Sequence, residues 1–327
     1  MGHRAVTAYV IRRCLQAIPL LLGISVIIFV LLQMTPGGPM AAGEGAATQV
    51  SPEQIARLRG RYGLDDPLVV QYFNWLGGVL TGDWGSSFDT GRPVLEAIGA
   101  RVPVTLQLTV VALVLSVLIA VVVGVFAASR QNSLVDHAAT GASFIGLSTP
   151  SFWFGIMLLY VFSFQLRLLP SSGLTDLRAR HTGFAAVLDQ AEHLILPVAV
   201  LSLMSVASLT RYVRSSMIDV LGQDYLRTAR GSGLPERTVV LRHGLPNAAI
   251  PVVTVAVLAL PELFLGAVIT ETIFGLPGMG RLFVESADLR DYPVLLGILL
   301  IAAVLVVVSN LLADVLYGRL DPRITYV

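Results

Sequence analysis

Long apolar runs alternate with short polar stretches along this chain, and the lengths of the runs match a bilayer. A helix needs about 20 apolar residues to cross the hydrocarbon core. About six runs meet or approach that length: Cys14 to Met34, Pro103 to Ala128, Ala139 to Leu166, His193 to Leu209, Ala248 to Ile273 and Pro293 to Leu316. The pattern predicts an all-α polytopic membrane protein with about six transmembrane helices. Arg4, Arg12 and Arg13 precede or open the first run, Arg130 follows the second, and Arg319 and Arg323 follow the last. Basic residues stay in the cytoplasm, so both termini are expected there. The stretch after the first run carries Glu44, Glu53, Asp65, Asp66, Asp83, Asp89 and Glu96 and is expected outside.

That outward segment, Thr35 to Arg101, is too patterned for a linker. Ser51-Pro52-Glu53-Gln54 reads as a helix start, with Ser51 as cap and Gln54 closing a capping box. Asp66-Pro67 starts another helix, whose Tyr72, Phe73 and Trp75 suit the membrane interface. The segment reads equally as a cap packed on the helix ends and as a lid or docking surface for an external receptor. The chain divides near Arg101: residues 1–101 hold the first span and this segment, and residues 102–327 hold a five-helix core.

Composition agrees. Of 327 residues, 55% are apolar and 13% charged, against about a quarter charged in soluble domains. The basic residues are all arginine, and Cys14 is the single cysteine, which excludes an intrachain disulfide and a cysteine metal cluster. The first run is too long for a cleavable signal peptide, and no cleavage site stands out after it. No GxxxxGK[ST] loop occurs, so the chain cannot supply a P-loop ATP site. HExxH and GxSxG are missing as well. The five histidines are scattered and read as structural, Asp136-His137 being a helix-end pair. No metal site or nucleic-acid surface is indicated.

Two features are left for function. Arg211 to Pro251 is a polar, arginine-rich island between apolar runs. Met217, Val220, Leu221, Tyr225 and Thr228 recur at helical steps, Gly231-Ser232-Gly233 and Pro235 break the pattern, and Val239-Val240-Leu241 opens a second helical stretch. A helix, a glycine hinge and another helix, presented to the cytoplasm, form a surface for another protein to hold. Secondly, Glu262 and Glu271 lie in or near the fifth span, where a charge is costly. Pro261 bends the backbone beside Glu262. Lining of a water-filled path or gate, structural helix pairing and proton coupling all stay open for the two acids.

The spacing of Ala229, Gly233, Leu245 and Pro246 resembles the EAA loop of ABC-importer permeases, with Arg227-Thr228-Ala229 in place of Glu-Ala-Ala and His243 in place of an apolar residue. The resemblance extends through Tyr9–Pro39, Arg61–Phe88, Gly146–Leu159, Leu168–Gly173, Glu271–Leu295 and Leu320–Arg323 to the B-type permease subunit of the peptide/nickel ABC-importer family. It implies the type I ABC-importer transmembrane fold in a bacterial or archaeal cytoplasmic membrane. It also implies half of a translocation path for di- or oligopeptides, with nickel or another small solute as the alternative. A proton-coupled secondary transporter is the rival from another class. The implied partners are a second homologous permease, two ATPase subunits and an extracytoplasmic solute-binding protein. ATP and Mg would be bound by the ATPases; this chain would bind no cofactor and catalyse no reaction. The loop residues Asp224, Arg227, Thr228, Ala229, Arg230, Gly233, Leu234, Leu245 and Pro246 would couple to an ATPase through a short helix around Ala229 to Arg237.

Overall fold

The structure, a computed structural model, describes residues 3–35, 60, 63, 65–176, 178–179 and 181–320; the side chains of 3–8, 262, 265, 266, 317, 319 and 320 lie outside that description. The helix start expected at Ser51 also lies outside it, as does the segment end at Asp321–Arg323. The elements are α1 (His3–Gln33), α2 (Leu68–Thr81), α3 (Val94–Ser129), α4 (Leu134–Ser148), α5 (Ser151–Leu158), α6 (Phe184–Leu221), α7 (Asp224–Gly231), α8 (Leu245–Leu258), α9 (Leu260–Ile273), α10 (Met279–Asp288) and α11 (Tyr292–Leu320). A π-helical turn, Leu159–Gln165, extends α5. Among the described residues, five helical stretches are long and apolar enough to cross a bilayer, or six if the bent pair α4–α5 counts as one.

The expected third span is therefore not one straight helix. Its two halves meet at 99°. Pro150 disfavours helical geometry at Thr149, which is extended at φ −85° and ψ 120°. The fifth expected span is interrupted only at Ala259, between α8 and α9, where the backbone stays helical at φ −75° and ψ −14°, with Pro261 in the first turn of α9. Prolines near both breaks were visible in the sequence; the angle at the first was not.

α3 and α6 form the central pair, and their close approach depends on a missing side chain. A Cβ on Gly124 would come within 2.7 Å of the Val213 side chain and 3.1 Å of the Thr210 carbonyl. Around this crossing Ala120, Val125, Leu209, Val213, Met217 and Val252 are buried. Towards the other end of α6, Leu108, Leu194, Val200, Phe274 and Leu276 make a second cluster. α1 packs on α11, with Arg13 bonded to Asp314 at 3.1 Å, while Leu15, Ile18, Ile27 and Leu31 face outwards. The aromatic residues of α2 settle against α1: Tyr72 meets Phe29 edge-on at 5.5 Å and shares a 2.9 Å hydrogen bond with Ser25. Phe73 stays exposed.

Glu271 holds the end of the molecule opposite the arginine-rich loop. It is fully buried, and its carboxylate accepts the Thr105 hydroxyl at 2.5 Å and the backbone N–H of Arg281 at 3.1 Å, together with that of Gly280. Thr105 in turn accepts the N–H of Met279 at 2.8 Å. The first amides of α10, which have no partner within their own helix, are thus capped by a residue of α9 and one of α3. Gly278 lies against the carboxylate so closely that any Cβ there would overlap it. In this structure the Glu271 side chain is enclosed and engaged in these hydrogen bonds. Glu262, the other acid, has its backbone in α9 and its side chain outside the described residues.

Two stability predictions follow from these contacts. Gly124→Leu should overpack the α3–α6 crossing and cost about 1–3 kcal/mol, lowering the thermal midpoint of the detergent-solubilised protein in fluorescence-detected gel filtration. Gly23→Leu, at a position with open space around it, should leave that midpoint unchanged. Glu271→Ala should cost about 1–3 kcal/mol by stranding buried donors, with Glu271→Gln milder because its carbonyl oxygen still accepts. Equal midpoints for Glu271→Ala and the parent would refute the capping role.

Candidate functional site

The polar island begins inside a helix. Residues 211–221 are the last turns of α6, and there Arg214 reaches across to Asp136 at the start of α4. The guanidinium meets the carboxylate as a fork, Nε to Oδ1 at 2.5 Å and Nη2 to Oδ2 at 2.8 Å. Asp136 is almost completely buried and also accepts the N–H of Asn132 at 3.0 Å; its own N–H donates to Ser133, the N-cap of α4. The pair fastens the root of the loop to a neighbouring helix. Sequence reasoning had joined Asp136 to His137 and grouped Arg214 with the loop arginines. The two partners are 78 residues apart, and no local spacing signals their meeting.

From this root the chain turns at Gly222 and forms α7. Leu226 is fully buried beneath it, while Asp224, Tyr225, Arg227 and Thr228 face outwards. Asp224 occupies the first turn, where a negative charge opposes the helix dipole favourably, and makes an exposed 3.3 Å pair with Arg227. The far end of α7 is a Schellman motif. Leu234 donates its N–H to the Ala229 carbonyl at 3.4 Å and Gly233 to the Arg230 carbonyl at 3.0 Å, with Gly233 in the left-handed region at φ 81°. The four-residue step from Ala229 to Gly233 is the spacing this cap requires. The helix was expected around Ala229 to Arg237; it lies earlier, at Asp224–Gly231, because the Gly231-Ser232-Gly233 turn and Pro235 end it.

Arg230 closes the turn. Its Nε and Nη2 bond Glu236 at 3.0 and 2.9 Å, and Nη1 reaches the Leu221 carbonyl at 3.3 Å. The hydrogen bonds to Glu236 hold the guanidinium above its ordinary pKa. One turn, Glu236–Thr238, runs into a π-helical turn, Val239–Gly244, that buries Val239 and Val240. α8 then starts with Leu245 and Pro246, where a proline lacking an N–H is tolerated. Asn247 donates to the Tyr225 hydroxyl at 3.1 Å, joining the two ends of the loop. The nine expected loop residues are therefore brought together in one folded hairpin. It exposes Arg227, Arg237, Arg242, Tyr225, Leu234 and Leu241, a cationic surface with apolar patches.

At the site, sequence reasoning missed Asp136 as the partner of Arg214, a polar group far away along the chain. Comparison with known proteins completes the assignment. The model of the "Binding-protein-dependent transport system inner membrane component" family matches residues 120–326, and the model of its N-terminal part matches residues 6–109. The oligopeptide transport system permease protein AppB of Bacillus subtilis (strain 168) is 47% identical over 321 residues, 98% of this chain and 99% of that protein. The dipeptide transport system permease protein DppB of Escherichia coli (strain K12) is 39% identical over 337 residues, 97% and 98% of the two chains. Among solved structures, inward-facing MetNI methionine ABC transporter superimposes with a TM-score of 0.53 at 16% identity, over 69% of this chain and 97% of that one. The architecture is thus the ABC-importer transmembrane fold, and the chain is a multi-pass protein of the inner membrane. It belongs to the family of binding-protein-dependent transport system inner membrane components.

Proposed function

We propose that this chain is the permease subunit of an ATP-driven importer and forms half of the passage for di- and oligopeptides. The peptide substrate is supported by the relatives at 47% and 39% identity, which are named for oligopeptide and dipeptide transport; nothing comparable favours nickel. The chain is a transport subunit, not an enzyme. Two separate ATPase subunits bind ATP and Mg, a second homologous permease completes the passage, and an extracytoplasmic solute-binding protein delivers the peptide. Both termini and the α7 hairpin face the cytoplasm, in line with the arginine distribution.

The observation that carries the coupling role is the build of the hairpin. Its exposed face is cationic and partly apolar, while its underside is fixed by Leu226, by Arg230 on Glu236 and by the Val239–Val240 turn. A loop fastened in this way moves as one body, so a displacement of α7 by an ATPase reaches α6 through Arg230 and the Leu221 carbonyl, and passes from α6 to α4 through Arg214 and Asp136. Two arrangements of the spans, biased from the ATPase side and from the peptide side, make a transport cycle.

Mass spectrometry of the gently solubilised, affinity-tagged protein should recover a second permease, ATPase subunits and a solute receptor carrying peptides. A lone chain whose membranes take up solute on a proton gradient alone would overturn the reading. Gly233→Val forces a β-branched residue into left-handed geometry, at about 1–2 kcal/mol. It should abolish peptide uptake at normal membrane insertion, whereas Gly233→Asn, which tolerates that geometry, should keep most of it. Wild-type uptake by the valine variant would remove the hairpin from the coupling role.

A further inference from the structure

A cavity of about 380 Å³ lies between the end of α1, α2 and the start of α11, within the range of about 300–1,000 Å³ typical of small-molecule sites. Phe29, Leu32 and Leu296 give it an apolar floor one turn inside the two spans, and Gln33, Gln71 and Asp83 stand at a polar rim. The walls are fixed by the protein's own bonds. Gln33 donates to the Gln71 side chain at 2.9 Å, and Gln71 donates to the Asp66 carbonyl at 2.8 Å. The turn after α2 folds back so tightly that a Cβ on Gly78 would come within 2.5 Å of the Asp83 carbonyl. The Asp83 carboxylate accepts the N–H of Gly85 at 3.0 Å. Tyr292 also lines the cavity. It is 5% exposed, and its hydroxyl is the one buried side-chain polar atom without a hydrogen-bond partner among the described residues. Such a group is unfavourable unless something else supplies its partner.

The cavity sits at the depth of a lipid headgroup. α1 and α11 are both long and apolar enough to cross the bilayer, and their ends meet here. Tyr72 of α2 reaches Ser25 at 2.9 Å, about 12 Å along α1 from Gln33, so α2 lies against the span and not above it. Val69, Phe73 and Leu80 share one exposed stripe of α2, and Ile27 and Leu31 are exposed on α1. Trp75 and Trp84 border the cavity, and tryptophan is favoured at the membrane boundary.

We infer that this cavity holds the headgroup of a zwitterionic amino phospholipid, of the phosphatidylethanolamine class, whose chains run along the apolar faces of α1 and α2. The phosphodiester is the acceptor for the Tyr292 hydroxyl and the indole N–H groups. The ammonium meets the Asp83 carboxylate and the indole rings, whose faces attract a cation. Phosphatidylglycerol would bring a negative charge towards Asp83 with no ammonium to offset it. In the orientation proposed above this is the outer leaflet, and the bound lipid fastens α2 between α1 and α11.

Labelling by lipid tests this in the affinity-tagged assembly, purified in detergent and titrated with phosphatidylethanolamine carrying a diazirine in its acyl chain. After irradiation, cross-links should map to residues 29–33, 69–84 and 292–296 of this chain. Unlabelled phosphatidylethanolamine should compete about fivefold better than phosphatidylglycerol with the same chains, the scale of an exposed charge pair. Asp83→Asn should bring the two lipids level. Soluble glycerophosphoethanolamine should compete about a hundredfold more weakly, because it lacks the chains. Cross-links confined to other surfaces, or equal competition by the two lipids on the parent, overturn the proposal. Full competition by the soluble headgroup makes this a site for a soluble amine, and labelling abolished by the solute-binding protein assigns the cavity to that protein; either result overturns it as well.

Tyr292→Phe gives a second readout. Removal of a hydroxyl with no partner inside the protein should leave the thermal midpoint of the delipidated assembly equal to the parent's or above it. Labelling by phosphatidylethanolamine should fall about fivefold, and the rise in midpoint on adding that lipid should shrink with it. A delipidated variant that melts below the parent, or one that binds the lipid as well as the parent does, overturns the role given to Tyr292. The labelling reads this chain whether or not partners co-purify, so failure of the peptide-importer reading would leave the lipid site standing.

Discussion

In hydrocarbon a backbone N–H has no water to bond, so every interruption of a helix has to be answered by another part of the protein. This chain interrupts its helices often, and its buried carboxylates Asp136, Glu271 and Asp291 sit beside such interruptions. Glu271 and Thr105 receive the opening amides of α10. Ser133 receives an amide of α4, and the adjacent Asp136 receives that of Asn132. Asp291, also buried, accepts the N–H of Phe88 at 3.0 Å and the Ser87 hydroxyl at 2.5 Å, tying the turn before α3 to the start of α11. Carboxylates that look anomalous in an apolar sequence are therefore the means by which a broken-helix bundle keeps its backbone satisfied.

The same economy explains why the exposed hairpin is firm. Its glycine turn is held by two hydrogen bonds that define the end of α7, one donated by Gly233 and one by Leu234. Arg230 spends its charge inside the loop, on Glu236 and a carbonyl of α6. Arg227, Arg237 and Arg242 remain on the outer face. An arginine-rich segment thus separates into an internal tie and an exposed cationic face, and the sequence alone does not say which arginine belongs to which.

Spans, class and the hairpin were legible because they rest on local signals: run length, arginine placement and the Ala229–Gly233 step. The helix within the hairpin was displaced in the sequence reading, since spacing marks the cap and not the direction from which the helix enters it. The 99° bend at Thr149–Pro150 was hidden, as a proline announces a break without its angle. Pairings such as Arg214 with Asp136 or Thr105 with Glu271 join residues 78 and 166 positions apart. Their geometry exists only once α3, α4, α6 and α9 have packed.

The arrangement of charge also bears on how such a protein is driven. A proton-coupled carrier needs an acid that meets water on each side in turn. Glu271 is enclosed, and its carboxylate oxygens are engaged by donors from α3 and α10. Releasing it for each proton would uncap α10 and strand those donors, each at about 1–3 kcal/mol. A buried acid used in this way stabilises one arrangement and is poorly placed to cycle between two. In the importer proposed above, work enters from outside the chain, and the cationic hairpin is the part that receives it.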